Sequence, residues 1–427
     1  MRFFYSLLIR LTSGLLPVVA LFSKKIRYFL KSRKEALALN QQASPSQKGT
    51  FWMHVASLGE YEQGLPLLEK WGKSHPKQER VVSFFSPSGY EIKKNKAEAE
   101  FVTYLPLDTP IGARTFIDKW NPKIAIFVKY EIWPNTLLEL KRRGIPVFLL
   151  SARFHPEQIY FRPYGGWMRK QLSYIHTFFV QNQISAELLQ KHIDRPVLIT
   201  GDSRFDRVEN TRLAASPLPL IKHFKGEKKL FVVGSSWPED EEVLLPSINN
   251  EELAYRWVIA PHQLNETKIQ HLAQQIKKPI LRFSSLSIAE HKKGALTAED
   301  LIKLQQAEIL VLDTIGLLSR TYQYATAAYV GGGFSTGLHN ILEAVVFGIP
   351  VWIGPHFKKF PEAVDLVKLE AVFSICSATE FYDSLENLKQ KDPAFSEVYR
   401  RGRKYCEEQL GATDQAFNVV QEFTKIT

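Results

Sequence analysis

From Thr50 onward the chain alternates short apolar runs with amphipathic stretches, and this rhythm restricts the fold more than any other feature. FWMHV (51–55), VVSFF (81–85), FVTYL (101–105), IAIFV (124–128), VFLLS (147–151), TFFVQ (177–181) and VLITG (197–201) read as strands. Glu60–Lys73, Pro134–Arg143 and Ser185–His192 read as helices between them. Strands that alternate with helices predict parallel βαβ units, hence an α/β chain with a doubly wound sheet. The rhythm breaks at Asp206–Lys229, a polar stretch with Pro217 and Pro219 and no clear strand. It restarts at 229–236, 255–261, 279–283, 308–314, 327–333, 350–354 and 371–375, before a helical tail from Phe395 to Thr427. Three segments follow: 1–35, 48–206 and 207–427, with the last helix a candidate to pack back on the first half. Two Rossmann-like halves joined by a linker predict a cleft lined by loops at the carboxyl ends of both sets of strands.

The N-terminus, Phe3 to Phe22, is nearly long enough to span a bilayer, but Arg10 and Pro17 interrupt it. It lacks a small-residue cleavage site, so a removed signal peptide is not expected. It either anchors the chain or lies in the membrane interface with Arg10 snorkelling; the bland alternative is an amphipathic core helix. Lys24, Lys25, Arg27, Lys31, Arg33 and Lys34 follow it and would meet acidic headgroups on the cytoplasmic side. The whole chain carries +11, which calls for a polyanionic neighbour: nucleic acid, anionic phospholipid or a phosphorylated glycolipid. Two cysteines, Cys376 and Cys406, exclude a disulfide framework, and neither has metal-ligand spacing.

Several turns could carry chemistry. Val330 to Pro355 reads as strand, glycine turn (Gly331, Gly332, Gly333), helix beginning at Gly337–Asn340, and strand. Such a turn offers free N–H groups to a phosphate, and His339, Asn340 and Glu343 could hold a sugar or ribose, although α/β turns use glycines anyway. After the first strand, Ser57 and Gly59 form a small-residue turn, and Glu60 falls in the first turn of a helix whose dipole favours its ionised form. Glu60 suits a general base, or is merely a favourable first-turn acid. Glu131 and Trp133 follow the fourth strand beside Lys129, and Arg204 in GDSRFD is available to an acidic ligand. In the second half Ser235 and Ser236 precede a helix start, and the acid run Glu239–Glu242 reads as a solvated first turn. His262 ends one strand, and Thr314, Ile315 and Gly316 end another, where backbone groups could read a base edge. No P-loop, nucleophile elbow, H-E-x-x-H or paired-acid metal site is present, so no cofactor or metal is expected.

Together HVASLGE (54–60), EIWPN (131–135), SARF (151–154, with Arg153), GDSRFD (201–206), GSSWPEDEE (234–242), DTIG (313–316), VGGGF with GLHNILE (330–343) and GPHFKKF (354–360) resemble the 3-deoxy-D-manno-octulosonic acid (Kdo) transferases of lipopolysaccharide synthesis. The resemblance runs from the N-terminus to about Phe360 and implies a GT-B fold with an acceptor half and a CMP-sugar donor half. It implies inverting transfer of Kdo from CMP-Kdo to a glucosamine hydroxyl of the lipid A precursor (lipid IVA), at the cytoplasmic face of the bacterial inner membrane. Glu60 is then the base. Ser235, Ser236, His262, Thr314, Ile315, Gly316, Gly333, His339, Asn340 and Glu343 would face the donor. Ser57, Gly59, Glu131, Trp133, Arg153 and Arg204 would face the acceptor. The expected partners are CMP-Kdo, the glycolipid and the membrane surface, with no nucleic acid and no obligate protein partner. The chain departs from the family in Pro261-His262-Gln263, where an Arg is usual, in Lys129 and Tyr130, where an acid and Thr are common, and in Arg204, where Lys is usual. Rival readings are a UDP-sugar-dependent GT-B lipid glycosyltransferase, a dinucleotide oxidoreductase, whose G-x-G-x-x-G is missing after the first strand, and a basic nucleic-acid binder, for which no motif is present.

Overall fold

A computed structural model describes the chain from Met1 to Ile426 except residues 42, 47, 96, 288–295, 336 and 391, and the side chains of 388–396 and 425–426. Two compact units form: residues 1–207 with 409–427, and residues 208–408. Each is built on a seven-stranded sheet in which every pairing is parallel.

In the first unit the strands are β1 (Thr50–Val55), β2 (Arg80–Phe84), β3 (Phe101–Tyr104), β4 (Pro122–Val128), β5 (Val147–Ala152), β6 (Thr177–Val180) and β7 (Val197–Ile199). Their order is β3-β2-β1-β4-β5-β6-β7. In the second they are β8 (Lys229–Ser236), β9 (Tyr255–Pro261), β10 (Ile280–Arg282), β11 (Ile309–Val311), β12 (Ala327–Val330), β13 (Val351–Ile353) and β14 (Val372–Ser374), ordered β10-β11-β9-β8-β12-β13-β14. All fourteen expected strands form, most of them trimmed at their ends. Helices cover both faces of a parallel sheet, which is why β1 is buried along its whole length and reads as an apolar run rather than an alternating one. The order reverses between β1 and β4 in one sheet and between β8 and β12 in the other. Chain crossovers leave in opposite directions there, which opens a crevice at the carboxyl ends of those strands.

Two helices precede the first sheet, α1 (Arg2–Phe22) and α2 (Lys24–Asn40), and α3 (Leu58–Ser74) follows β1. The first turns of α1 are tied to the folded body. Tyr5 OH donates to Asp108 Oδ2 (2.9 Å) and Arg2 Nε to Asn135 Oδ1 (3.1 Å). The outer side of α1 exposes Phe4, Leu8, Leu11, Leu15, Val18 and Phe22, and this is the one helix among the described residues long and apolar enough to cross a membrane. The polar break forms the helices Arg204–Leu213 and Pro219–Lys225. The tail forms Asp392–Glu408 and Ala412–Ile426; the latter returns to the first unit, where Phe417 meets Trp71 (5.9 Å between ring centroids) and Phe423 meets Phe148 (5.9 Å).

Candidate functional site

At the carboxyl end of β1 the chain turns through Ala56 and Ser57 into α3, with Ser57 as the extended N-cap residue. Glu60, in the first turn, reaches back so that Oε2 accepts the Ala56 N–H. The helix dipole is not the only influence on this acid. Burial, then the like charge of Glu131, raise its pKa above the ordinary carboxylate value, against the Ala56 N–H, Lys129 and His54.

Glu131 arrives from the end of β4, the strand beside β1. Trp133 Nε1 donates to its Oε2 (2.8 Å), and His54 Nε2 lies 3.0 Å from the same oxygen. His54 is fully buried, and its Nδ1 contacts Ser83 O (3.0 Å) and Ser83 Oγ (2.8 Å); Trp52 Nε1 also donates to Ser83 Oγ (2.8 Å). A buried imidazole is thus fixed at both nitrogens and orients Glu131. His54 and Ser83 were absent from the expected site, although one polar residue in an otherwise apolar strand was the available signal.

Lys129 (φ 61°) and Ser151 (φ 50°) hold left-handed backbone at the ends of β4 and β5, a conformation that costs about 1–3 kcal/mol and clusters at functional sites. Arg153, two residues after Ser151, has a buried Nε without a hydrogen-bond partner among the described residues. Gly59 is exposed at the start of α3. Arg204 departs from expectation: its Nε and Nη2 hold Asp202 Oδ2 (2.9 and 2.8 Å). Burial would raise the Asp202 pKa, but Arg204 holds it below the usual value.

In the second unit the turn after β8 places Ser235 in left-handed backbone (φ 53°), and Ser236 Oγ donates to Glu241 Oε1 (2.7 Å). Trp237, His262 and His339 form one stack. Ring centroids of Trp237 and His262 are 4.8 Å apart and those of His262 and His339 4.2 Å apart, and Trp237 Nε1 donates to His339 Nε2 (3.0 Å). Burial and the neighbouring His262 lower the His339 pKa to about 4, so this ring is neutral at physiological pH.

Two expectations fail around the glycine turn. The acid run is not uniformly solvated: Asp240 is fully buried and accepts from Gly332 N (2.8 Å), Tyr329 OH (2.7 Å) and Trp237 N (2.9 Å). Nor do Gly337–Asn340 begin a helix; the helix is only Leu342–Val345. Gly337 has φ 117°, outside helical space, and the N–H groups of Gly337 and His339 donate back to Gly332 O (3.0 Å) and Gly331 O (3.1 Å). Those N–H groups close the turn instead of awaiting a phosphate. Gly331 is required by close backbone approach, because a Cβ there would lie 2.3 Å from Ser235 O. Gly333 sits in the same turn, and His356 N donates to its carbonyl (2.9 Å). Asn340 Nδ2 donates to Glu343 Oε1 (3.4 Å), and Asn340 Oδ1 accepts from Leu342 N (3.3 Å). Thr314, Ile315 and Gly316 form a turn after β11, where Ile315 is exposed and Gly316 has φ 97°. Among the described residues no three His, Cys, Asp or Glu side chains gather as a metal-binding group.

Two doubly wound sheets, each with polar residues at its switch point, define an α/β protein of GT-B-like fold. A solved UDP-GlcNAc 2-epimerase from Neisseria meningitidis, bound to UDP-GlcNAc, shares this fold at TM-score 0.57 and 13% identity, over 84% of this chain and 99% of that one. The family model for 3-deoxy-D-manno-octulosonic-acid transferase (kdotransferase) matches residues 31–207. A 3-deoxy-D-manno-octulosonic acid transferase of Haemophilus influenzae is 25% identical over 99% of this chain and 98% of its own. One from Aquifex aeolicus is 26% identical over 80% of this chain and 86% of its own. Over nearly its whole length the chain is thus similar to 3-deoxy-D-manno-octulosonic acid transferases.

Proposed function

We propose that the chain transfers Kdo from CMP-Kdo to a glucosamine hydroxyl of the lipid A precursor, with inversion and with Glu60 as general base. The observation that carries this reading is Glu60 at the switch point of the first sheet, half-buried, with its proton affinity raised by burial and by Glu131. A carboxylate of raised pKa accepts a proton more readily, and proton transfer of this kind is worth roughly 10²–10⁴-fold in rate. Glu60 takes the acceptor hydroxyl proton as that oxygen bonds to the anomeric carbon of Kdo. The bond from that carbon to the CMP phosphate oxygen breaks, and CMP leaves with the electron pair. Ser57, Gly59, Glu131, Trp133 and Arg153 serve the acceptor side. The Trp237, His262 and His339 stack, with Ser235, Ser236, Thr314, Ile315, Gly316, Gly333, Asn340 and Glu343, serves the donor side. A neutral His339 offers hydrogen bonds there rather than charge. The enzyme works on the cytoplasmic leaflet with α1 lying in the interface, a reading supported by the exposed apolar side of α1, the basic residues after it and the hold of Asp108 and Asn135 on its first turns.

Incubation with CMP-Kdo and tetra-acylated lipid A precursor, followed by product mass, tests the reading. The expected product gains one or more Kdo residues. Thermal stabilisation by UDP-sugars in place of CMP-Kdo would transfer the reading to a UDP-sugar enzyme.

A further inference from the structure

A cavity of about 490 Å³ lies in the first unit beside the carboxyl end of β3. Its walls include Leu37, Tyr104, Leu107, Phe116 and Trp120, and Ser13 of α1 contributes to its lip. The volume lies inside the ~300–1,000 Å³ range of ligand sites. Most of its polar rim is committed to backbone. Arg33 Nη1 donates to Leu105 O (2.7 Å) and Nη2 to Phe85 O (3.0 Å), while its guanidinium lies over the rings of Phe29, Phe85 and Tyr104. Asn40 Nδ2 donates to Val102 O (3.1 Å), and Lys119 Nζ donates to Asn40 O. Arg33 Nε alone among these donors is buried without a partner among the described residues, and the walls away from it are mainly apolar, which favours hydrocarbon there.

Two further observations say what fills it. β3 is two places from β1 in the sheet, so roughly 10 Å, two strand spacings, separates the strand beside the cavity from the strand that leads into Glu60. The helix that supplies Ser13 also exposes Phe4, Leu8, Leu11, Leu15, Val18 and Phe22 on its outer side. The exposed apolar side and one lining residue of the cavity thus belong to the same helix. The geometry points to this cavity as a subsite for one acyl chain of the glycolipid acceptor, an inference that rests on the transfer reading above. The chain enters beside Ser13, its end packs on Phe116 and Trp120, and the sugar it carries extends along the sheet edge toward Glu60. Acceptor selection by acylation follows.

The test uses the full-length enzyme and two substitutions at exposed lining positions, Leu37→Glu and Thr115→Trp. With tetra-acylated acceptor both raise KM roughly tenfold at unchanged kcat, the scale of losing apolar contacts in a pocket. With a fully deacylated acceptor neither changes KM. Independently, tetradecanoic acid bearing a terminal diazirine labels residues 103–120 on irradiation, and Leu37→Glu abolishes that labelling. Label found only on the outer stripe of α1, or equal KM changes for both acceptors, overturns the subsite while leaving the transfer reading intact. Absence of product from the unsubstituted enzyme overturns the transfer reading, and the labelling pattern then decides the cavity alone.

Discussion

Glu60 shows how the surroundings of a helix-start acid can raise its pKa despite a favourable helix dipole. The dipole of α3 favours the ionised form, but burial and then Glu131 raise the pKa above the ordinary carboxylate value. Glu60→Gln is expected to keep CMP binding and cut single-turnover transfer by about 10²–10⁴-fold; near-normal turnover would remove Glu60 from the chemistry. Because a protonated base is inactive, kcat/KM falls as pH drops through the Glu60 pKa, with a midpoint above the ordinary carboxylate value of about 4.3. Glu131→Gln removes a like charge, so the acid limb of the profile moves to lower pH; an unmoved limb would separate Glu131 from that titration. The position of Glu60 was legible in HVASLGE, but its charge preference was not, because Glu131 comes close only when β4 lies beside β1. His54 was hidden for the same reason: its partner Ser83 is placed by the register of β1 on β2.

Elements succeed or fail according to where their N–H groups go. The glycine run after β12 looked like a helix start, yet Gly337 and His339 return their N–H groups to the turn and Asp240 takes that of Gly332. The sequence pattern Asp240 to Gly332 joins residues on different crossovers, so no local rule could find it. Gly331→Ala places a methyl 2.7 Å from Asp240 Oδ2 and is expected to cost about 1–3 kcal/mol in urea unfolding, the range of overpacking; an unchanged midpoint would show that the turn relaxes freely. α1 behaves as part of the folded body as well as a membrane element. Tyr5→Phe removes one of the donors to buried Asp108 and is expected to lower stability by about 1–3 kcal/mol in detergent. Deleting residues 1–30 should therefore loosen sedimentation with membranes and also lower the melting temperature, whereas a simple tether would give only the first effect.

Across the whole molecule, both sheets were legible because parallel strands covered on both faces must be apolar throughout and short. Their order was not, since the reversal at β1 and β4 depends on crossover direction. The net charge of +11 should appear as salt-dependent binding to anionic vesicles, at about 1 kcal/mol for each Lys or Arg near the surface. Raising salt from about 50 to 500 mM is expected to weaken it several-fold; salt-independent binding would assign the attachment to the apolar stripe of α1 alone.

The helix Ala412–Ile426 sets an order on biosynthesis. Its partners Trp71 and Phe148 leave the ribosome long before it does, and the second unit is made in between. Until that helix emerges, the nascent first unit carries an uncovered aromatic face while α1 is already free to seek the membrane. Chaperone dependence during translation, rather than after release, follows from that order.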